Sequence, residues 1–540
     1  MMSDFKALAE DILESLWKSS PFAATFAGIH GYDHELDNID RDYLMSVNTE
    51  RKEFLRKIQA LEEKALSHEE RIDWQLLKNF LQSNTRDFEE MRHWQTNAAD
   101  YANVCVDALH ILFLREFAPI EERAAAILSR MKQIPRFLRD SKRNLQDAPR
   151  IFTKLAIEIN EGGRDFLETI TGELSTMVPG LASDLDRAYK AAAVAMQEYG
   201  DFLKNELLPE STGEFAIGSD HFNFKLRTDH MLPYTTEQLL EYGYEIKRAT
   251  EEHLSKTARQ IDRDKTWFEI VEDIKKKHPR SSELLATYKK EMERARQFVH
   301  EKDLVTIPES EELQVIPTPQ FYRPILPYAA YMNPAPFETQ QKGFFFVTPV
   351  TESISSQEQE QTLRGHSIYG IPITALHEGY PGHHLQLVHA NKLQNKLRRI
   401  LSTNVFIEGW ALYCEEMMFE AGFYSDPRSR LLQLKGQLWR ACRVIIDVGL
   451  HTKKMGYDQA VDLLITEAKL EPVHAHKEVT RYAFTPTQPM SYLTGKKQIL
   501  ELKEDYKRKH GDKFDQKKFH DTLLSFGSIP ICMIRQELGL

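Results

Sequence analysis

Ala375-Leu376-His377-Glu378-Gly379-Tyr380-Pro381-Gly382-His383-His384-Leu385-Gln386 is the stretch on which the reading of this chain turns. In an ordinary zinc helix, two histidines four residues apart share one face, and the glutamate after the first acts as a base. Here the fourth position after His377 is Pro381, and the next histidines come six and seven residues on. On a straight helix six residues is roughly 600° of turn, which puts His383 on the wrong face. Seven residues returns His384 to the right face, but about 10.5 Å along the axis. A shared metal therefore requires a deformed helix. Pro381 has no N–H for the carbonyl of residue 377, and its ring clashes there. Gly379 and Gly382 permit unusual dihedral angles. Looping out two residues puts His383 where the second histidine normally stands; looping out three puts His384 there. A Gly-His pair at that point favours His383, with His384 the alternative. The bland reading is a pair of core histidines in a kinked helix.

A catalytic zinc takes three protein ligands and keeps one position open. The candidate third ligand is Glu408, a carboxylate inside the apolar run Phe406-Ile407-Glu408-Gly409-Trp410-Ala411-Leu412-Tyr413-Cys414. A buried carboxylate needs a metal or a partner, and the competing explanation is an ion pair with Arg440 or Arg443. Glu415, seven residues on, is placed to hydrogen-bond a ligand histidine and fix its tautomer. Asp447 is the rival for that task. Glu378, beside a ligand, suits the general base.

Working outward, the 540 residues are enough for a large core and two to four domains. A net charge of −11 and an isoelectric point near 6.0 argue against a nucleic-acid partner. The N-terminus lacks the apolar core of a secretory signal, and no apolar run is long enough to span a bilayer. The four cysteines, Cys105, Cys414, Cys442 and Cys532, are scattered in apolar surroundings. They read as buried, reduced thiols, and a cytoplasmic location follows as the expectation.

Apolar residues at helical spacing run through 3–18, 49–66, 69–92, 120–145, 182–208, 235–263 and 282–302. Turn signals lie between them, among them Gly28 to Gly31, Gly162-Gly163 and Pro179-Gly180. Character changes near residue 305. Eight prolines fall between Pro308 and Pro349, with Phe321, Tyr322, Tyr328, Tyr331 and Phe337 among them. Gly343-Phe344-Phe345-Phe346-Val347-Thr348 is the best strand candidate, and Pro349 after it suggests an edge strand. Helices resume at Pro372, well placed in a first helical turn. The charge-rich 502–520 reads as solvated helix and loop. The expected fold is mostly α with a small β-sheet, divided into a helical N-terminal half, 1–305, and a half carrying the motif, 306–540.

The motif string resembles a known family. Together with Glu408-Gly409-Trp410-Ala411-Leu412-Tyr413-Cys414-Glu415, the stretch Arg440 to His451, Glu478-Val479-Thr480-Arg481-Tyr482 and Ser491-Tyr492-Leu493-Thr494-Gly495, it is similar to the prokaryotic domain of unknown function 885. That family is grouped with glutamate-ligand zinc peptidases of the thimet-oligopeptidase, angiotensin-converting-enzyme and Taq-carboxypeptidase types. The resemblance implies a large helical fold with a deep cleft and one zinc ion per chain on His377, His383 and Glu408, with Glu378 as base. It also implies a late-chain tyrosine, Tyr482 or Tyr492, donating to the oxyanion, with His451, His474 and His476 as weaker candidates. Arg481 would hold a substrate carboxylate. The strand carrying Phe345 and Phe346 would bind substrate backbone by strand addition.

The expectation is then a zinc-dependent oligopeptidase or carboxypeptidase acting on short peptides. A non-peptide amidohydrolase on the same site, or an inactive helical binding protein, is the alternative. Partners expected are a short peptide and, at most, a second copy in a homodimer, with no nucleic acid and no membrane.

Overall fold

The computed structural model describes residues 4–319, 323, 326, 328–351 and 355–540. Phe321 and Tyr322 lie outside the described residues. The chain is 72% helical, and the described residues form one three-stranded sheet, so the fold is mostly α with a small sheet. Among the described residues, no helix is long and apolar enough to cross a membrane.

Two compact units divide the chain. The first is Met1–Phe215 with Ala335–Gln340 among its later residues; the second includes Ala216–Thr318, Leu326–Pro334 and Gln341–Leu540. The boundary thus falls after Phe215 and not near 305. The reason is packing. Leu254, Ala258, Ile270, Val271 and Ile274 share one core with Leu431, Leu434 and Leu438. The apolar faces of 236–301 are therefore buried against C-terminal helices, and the proline-rich stretch marks only where those helices stop.

Among the described residues, the regular elements of the first unit are all helices. Its longest helices are Ile120–Asn144, Arg150–Met177 and Ala182–Phe202. Gly162-Gly163, expected to mark a turn, lies inside Arg150–Met177. A Cβ at Gly163 would sit 2.7 Å from Val106 Cγ2 and 2.9 Å from Met196 Cε. The glycine there permits close approach of neighbouring helices, a use of glycine that sequence does not distinguish from a break.

The second unit contains the site. Its sheet has strands β1 (Glu311–Pro317), β2 (Ala329–Met332) and β3 (Gln341–Val347), in the order β1-β3-β2. β1 runs parallel to β3 and β2 antiparallel to it. The anticipated edge strand is therefore the central one. It is paired along its whole length on the β1 side and over Phe344–Val347 on the β2 side, so the stretch Phe344–Val347 offers no free backbone for strand addition, and Phe345 and Phe346 are core residues, at most 1% exposed. Pro349 lies beyond the strand end and constrains nothing within it.

The helices that matter are α1 (Thr236–Ile261), α2 (Leu284–Glu301), α3 (Ile371–Glu378), α4 (His383–Asn391), α5 (Asn404–Glu420), α6 (Pro427–His451), α7 (Pro472–Phe484) and α8 (Ser491–His510). α3 begins with Pro372 in its first turn, where a missing N–H costs no helical bond. α5 and α8 cross backbone to backbone. A Cβ at Gly409 would meet Gly495 Cα at 2.5 Å, and one at Gly495 would meet the Val405 carbonyl oxygen at 1.8 Å. Only glycine fits at that crossing, and Glu408 is the residue beside it.

Candidate metal centre

The zinc-helix stretch is two helices with a break between them. α3 stops at Glu378, α4 starts at His383, and Gly379–Gly382 turns the chain across the gap. The Tyr380–Pro381 peptide bond is cis. The turn folds tightly back on α3: Gly382 N–H donates to the Leu376 carbonyl at 3.0 Å. A Cβ at Gly382 would come within 1.8 Å of the His377 carbonyl oxygen, and one at Gly379 within 1.9 Å of Met292 Sδ on α2. From α5, the fully buried Trp410 donates its indole N–H to the Pro381 carbonyl at 2.8 Å. Two glycines, a proline and a tryptophan thus set the angle at which the second helix leaves the first.

The result brings His377 and His383 together. Their ring centroids are 4.9 Å apart and nearly perpendicular. His377, His383 and Glu408 each offer one ligand atom, and the three atoms lie within 4.8 Å of one another. His377 Nδ1 donates to Glu415 Oε1 at 2.8 Å, which leaves Nε2 with its lone pair for a metal. His383 Nε2 lies 3.3 Å from Glu408 Oε2. Glu408 Oε1 accepts from Gln488 Nε2 at 3.0 Å. Among the described residues, several buried polar atoms here have no hydrogen-bond partner: His383 Nδ1, Glu408 Oε2 and Glu415 Oε2. Such atoms cost about 1–3 kcal/mol each when left so, and two imidazoles with a carboxylate are the donor set of a catalytic zinc site. The residues present fit a bound cation.

Electrostatics agree with that fit. Burial alone would raise the Glu408 carboxyl, but the adjacent His383 and the charge of His377 hold it down at about 2. Burial would lower His383, yet Glu408 and, through its charge, Glu378 raise it. Glu415 is likewise depressed: burial opposes this, and Arg440 and His377 outweigh it. Glu378 is half-buried at the C-terminal end of α3, and its charge reaches both His383 and Tyr288.

His384 belongs to a different arrangement. Its Nε2 donates to Glu311 Oε2 at 2.7 Å, and its Nδ1 accepts from the Tyr331 hydroxyl at 3.1 Å. Glu311, 1% exposed at its side chain, also receives the Tyr380 hydroxyl and Arg296 Nε at 3.0 Å. β3 comes so near this ring that a Cβ at Gly343 would lie 2.8 Å from His384 Nδ1. Both nitrogens are committed.

Over residues 21–538 the sequence matches the family described as bacterial protein of unknown function (DUF885). The chain belongs to that family. No curated protein matches it. Among solved structures it is similar to one described as "a putative lipoprotein of unknown function" from Shewanella oneidensis, with TM-score 0.81, 26% identity and 100% of each chain covered. It also shares its fold with a "putative lipoprotein" from Colwellia psychrerythraea, with TM-score 0.81 and 19% identity over 100% of this chain and 99% of that one.

The remaining candidates separate into those at the centre and those that are not. Tyr492 adjoins Glu408, whose carboxyl it helps to depress, and its hydroxyl accepts from Gln488 at 3.2 Å. Tyr482 is fully buried, and its hydroxyl accepts from Arg443 Nε at 2.8 Å and Trp439 Nε1 at 3.1 Å. Its own O–H goes to Glu478. Arg481 bonds to Glu478 and Gln488, each at 2.9 Å. Asp447 accepts the backbone N–H groups of Thr487 and Met490 and ties down the turn between α7 and α8; it does not touch His377. His451 donates to the Tyr482 carbonyl, His474 bonds to Tyr328, and His476 lies against Tyr457. Two residues at the centre escaped sequence reading. Gln488 sits in the uncharged turn Thr485-Pro486-Thr487-Gln488-Pro489, where nothing marks it. Arg440, weighed only as a partner for Glu408, instead lies 3.5 Å from Glu415.

Proposed function

We propose that this chain is a metal-dependent hydrolase of peptide bonds in short peptides, holding one divalent ion, zinc by its donor set, on His377, His383 and Glu408. The observation that carries the reading is the buried trio itself, whose three ligand atoms fall within 4.8 Å of one another, with His383 Nδ1 and Glu408 Oε2 unpaired. The kinship with glutamate-ligand zinc peptidases rests on the motif residues alone. Once bound, such an ion polarises a carbonyl and makes water more acidic.

The chain's own groups supply the rest. Glu378, outside the ligand set, takes a proton from the attacking water and returns it to the departing amine. Glu415 holds His377 in the tautomer that presents Nε2. Gln488 and Tyr492 hold Glu408 in place. The test is metal analysis of protein purified without added metal, followed by hydrolysis of a peptide panel. About one zinc per chain, the number a single three-ligand centre holds, supports the reading when hydrolysis is lost in Glu378→Gln with the metal retained. No bound metal and no hydrolysis refutes it.

We also place the protein in the cytoplasm. Cys105, Cys414, Cys442 and Cys532 are all free thiols, which suits a reducing compartment. The similar solved chains, described as putative lipoproteins, point instead to a membrane-anchored form, and fractionation of cells expressing the native gene decides between the two.

A further inference from the structure

On α6, two cations flank a glycine beside the metal centre. At about 100° per residue, Leu432, Gly436, Trp439 and Arg443 occupy the arc between Lys435 and Arg440. A Cβ at Gly436 would meet only Arg440, its Nη1 at 2.7 Å and its Cζ at 3.9 Å, so the glycine leaves a floor covered by nothing but that guanidinium. A Cβ at Gly370, just before α3, would lie 3.4 Å from Leu432 Cδ1, so this face leads toward the helix that carries His377 and Glu378. Arg440 also leans on the ring of Tyr492, 5.7 Å away, and its Nε is buried without a partner.

Lys435 is half-buried and, among the described residues, makes no ion pair or hydrogen bond. The carboxylates whose charge reaches it, Glu272 and Glu471, are already held. Lys275 bonds to both, at 2.6 and 3.3 Å, and Arg364 to Glu272 at 2.7 Å. Burial, with Lys275 close by, brings the Lys435 ammonium down to about 8, so it still carries its charge at neutral pH.

We propose that Lys435 and Arg440 bind the C-terminal carboxylate of the peptide across Gly436, which makes the hydrolase proposed above a carboxypeptidase.

The inference rests on the hydrolase reading, so its test measures binding and not turnover. In Glu378→Gln protein, calorimetry compares an N-acetylated tripeptide acid with its C-terminal amide. A charge-assisted contact predicts that the acid binds about tenfold or more tightly. Lys435→Met abolishes that preference, and Lys435→Arg keeps most of it. Lys435→Gln stands in if Lys435→Met fails to fold. Equal binding of acid and amide, no measurable binding of the acid, or a preference that survives both neutral variants overturns the proposal. None of these outcomes bears on metal content or on hydrolysis of the amide, which test the reading beneath it.

Discussion

His383 and His384 are neighbours in sequence, yet they sit in opposite kinds of surroundings. His384 has both ring nitrogens engaged, and its partner Glu311 is bonded to three side chains. His383 faces a carboxylate whose Oε2 has no hydrogen-bond partner among the described residues, and its own Nδ1 has none there either. A histidine with both nitrogens satisfied belongs to the framework. One that shares unsatisfied atoms with a second histidine and a glutamate is arranged for something else. The difference favours His383 over His384 in the proposed ligand set, because buried polar atoms in a folded protein are normally paired.

The contrast can be broken most forcefully on the framework side. His384→Ala leaves Glu311 buried with Arg296 and Tyr380 alone, and should cost about 3 kcal/mol of stability while sparing the metal. Urea denaturation measures it. The same pairing fixes a pH dependence. Burial would raise the Glu311 carboxyl, but His384, Tyr380 and Arg296 depress it below its ordinary 4.5. A depressed carboxyl adds stability above its unfolded value, and that stability is lost as pH falls through the folded one. The gap between wild type and His384→Ala should therefore be widest at neutral pH and narrow below pH 4.5. A gap that widens in acid contradicts the assignment.

On the other side, Glu415→Gln should weaken metal binding by roughly 10- to 100-fold, as loss of a partner behind a ligand histidine does. Competition with a chelator of known affinity reads this directly, and fold stability without metal should change less than it does in His384→Ala. The smallest expected effect is that of Trp410→Phe. It removes one neutral hydrogen bond to the Pro381 carbonyl, worth about 1 kcal/mol, and should slightly loosen the angle between α3 and α4. A metal affinity unchanged by this substitution would show that the two glycines hold the break unaided.

How much of this could be read from the sequence depended on whether the deciding contacts were local. The meeting of His377 with His383 was legible because histidine spacing is a short-range pattern, and Pro381 with its flanking glycines announced that the pattern had to bend. Glu408 stood out as a lone charge in an apolar run. The role of His384 was hidden, because its partners Glu311 and Tyr331 lie on strands β1 and β2, two short segments with no strong alternation of their own. β3 was expected at an edge because Pro349 follows it; the strand ends at Val347, short of that proline, and its two neighbours carried no strand signal to correct the expectation. Tyr482 and Arg481 matched a motif, but their bonds to Arg443, Trp439 and Gln488 reach other segments of the chain, contacts that no spacing reveals. Gly162-Gly163 shows the same limit in the first unit, where a close approach between helices had the composition of a turn.

The most direct test of the account is zinc content per chain, measured by elemental analysis on wild type, His383→Ala and His384→Ala prepared identically. The account predicts about one zinc in wild type and in His384→Ala, and essentially none in His383→Ala, since three protein ligands are needed for a tight site. Zinc retained in His383→Ala but lost from His384→Ala, or absent from all three, would contradict it.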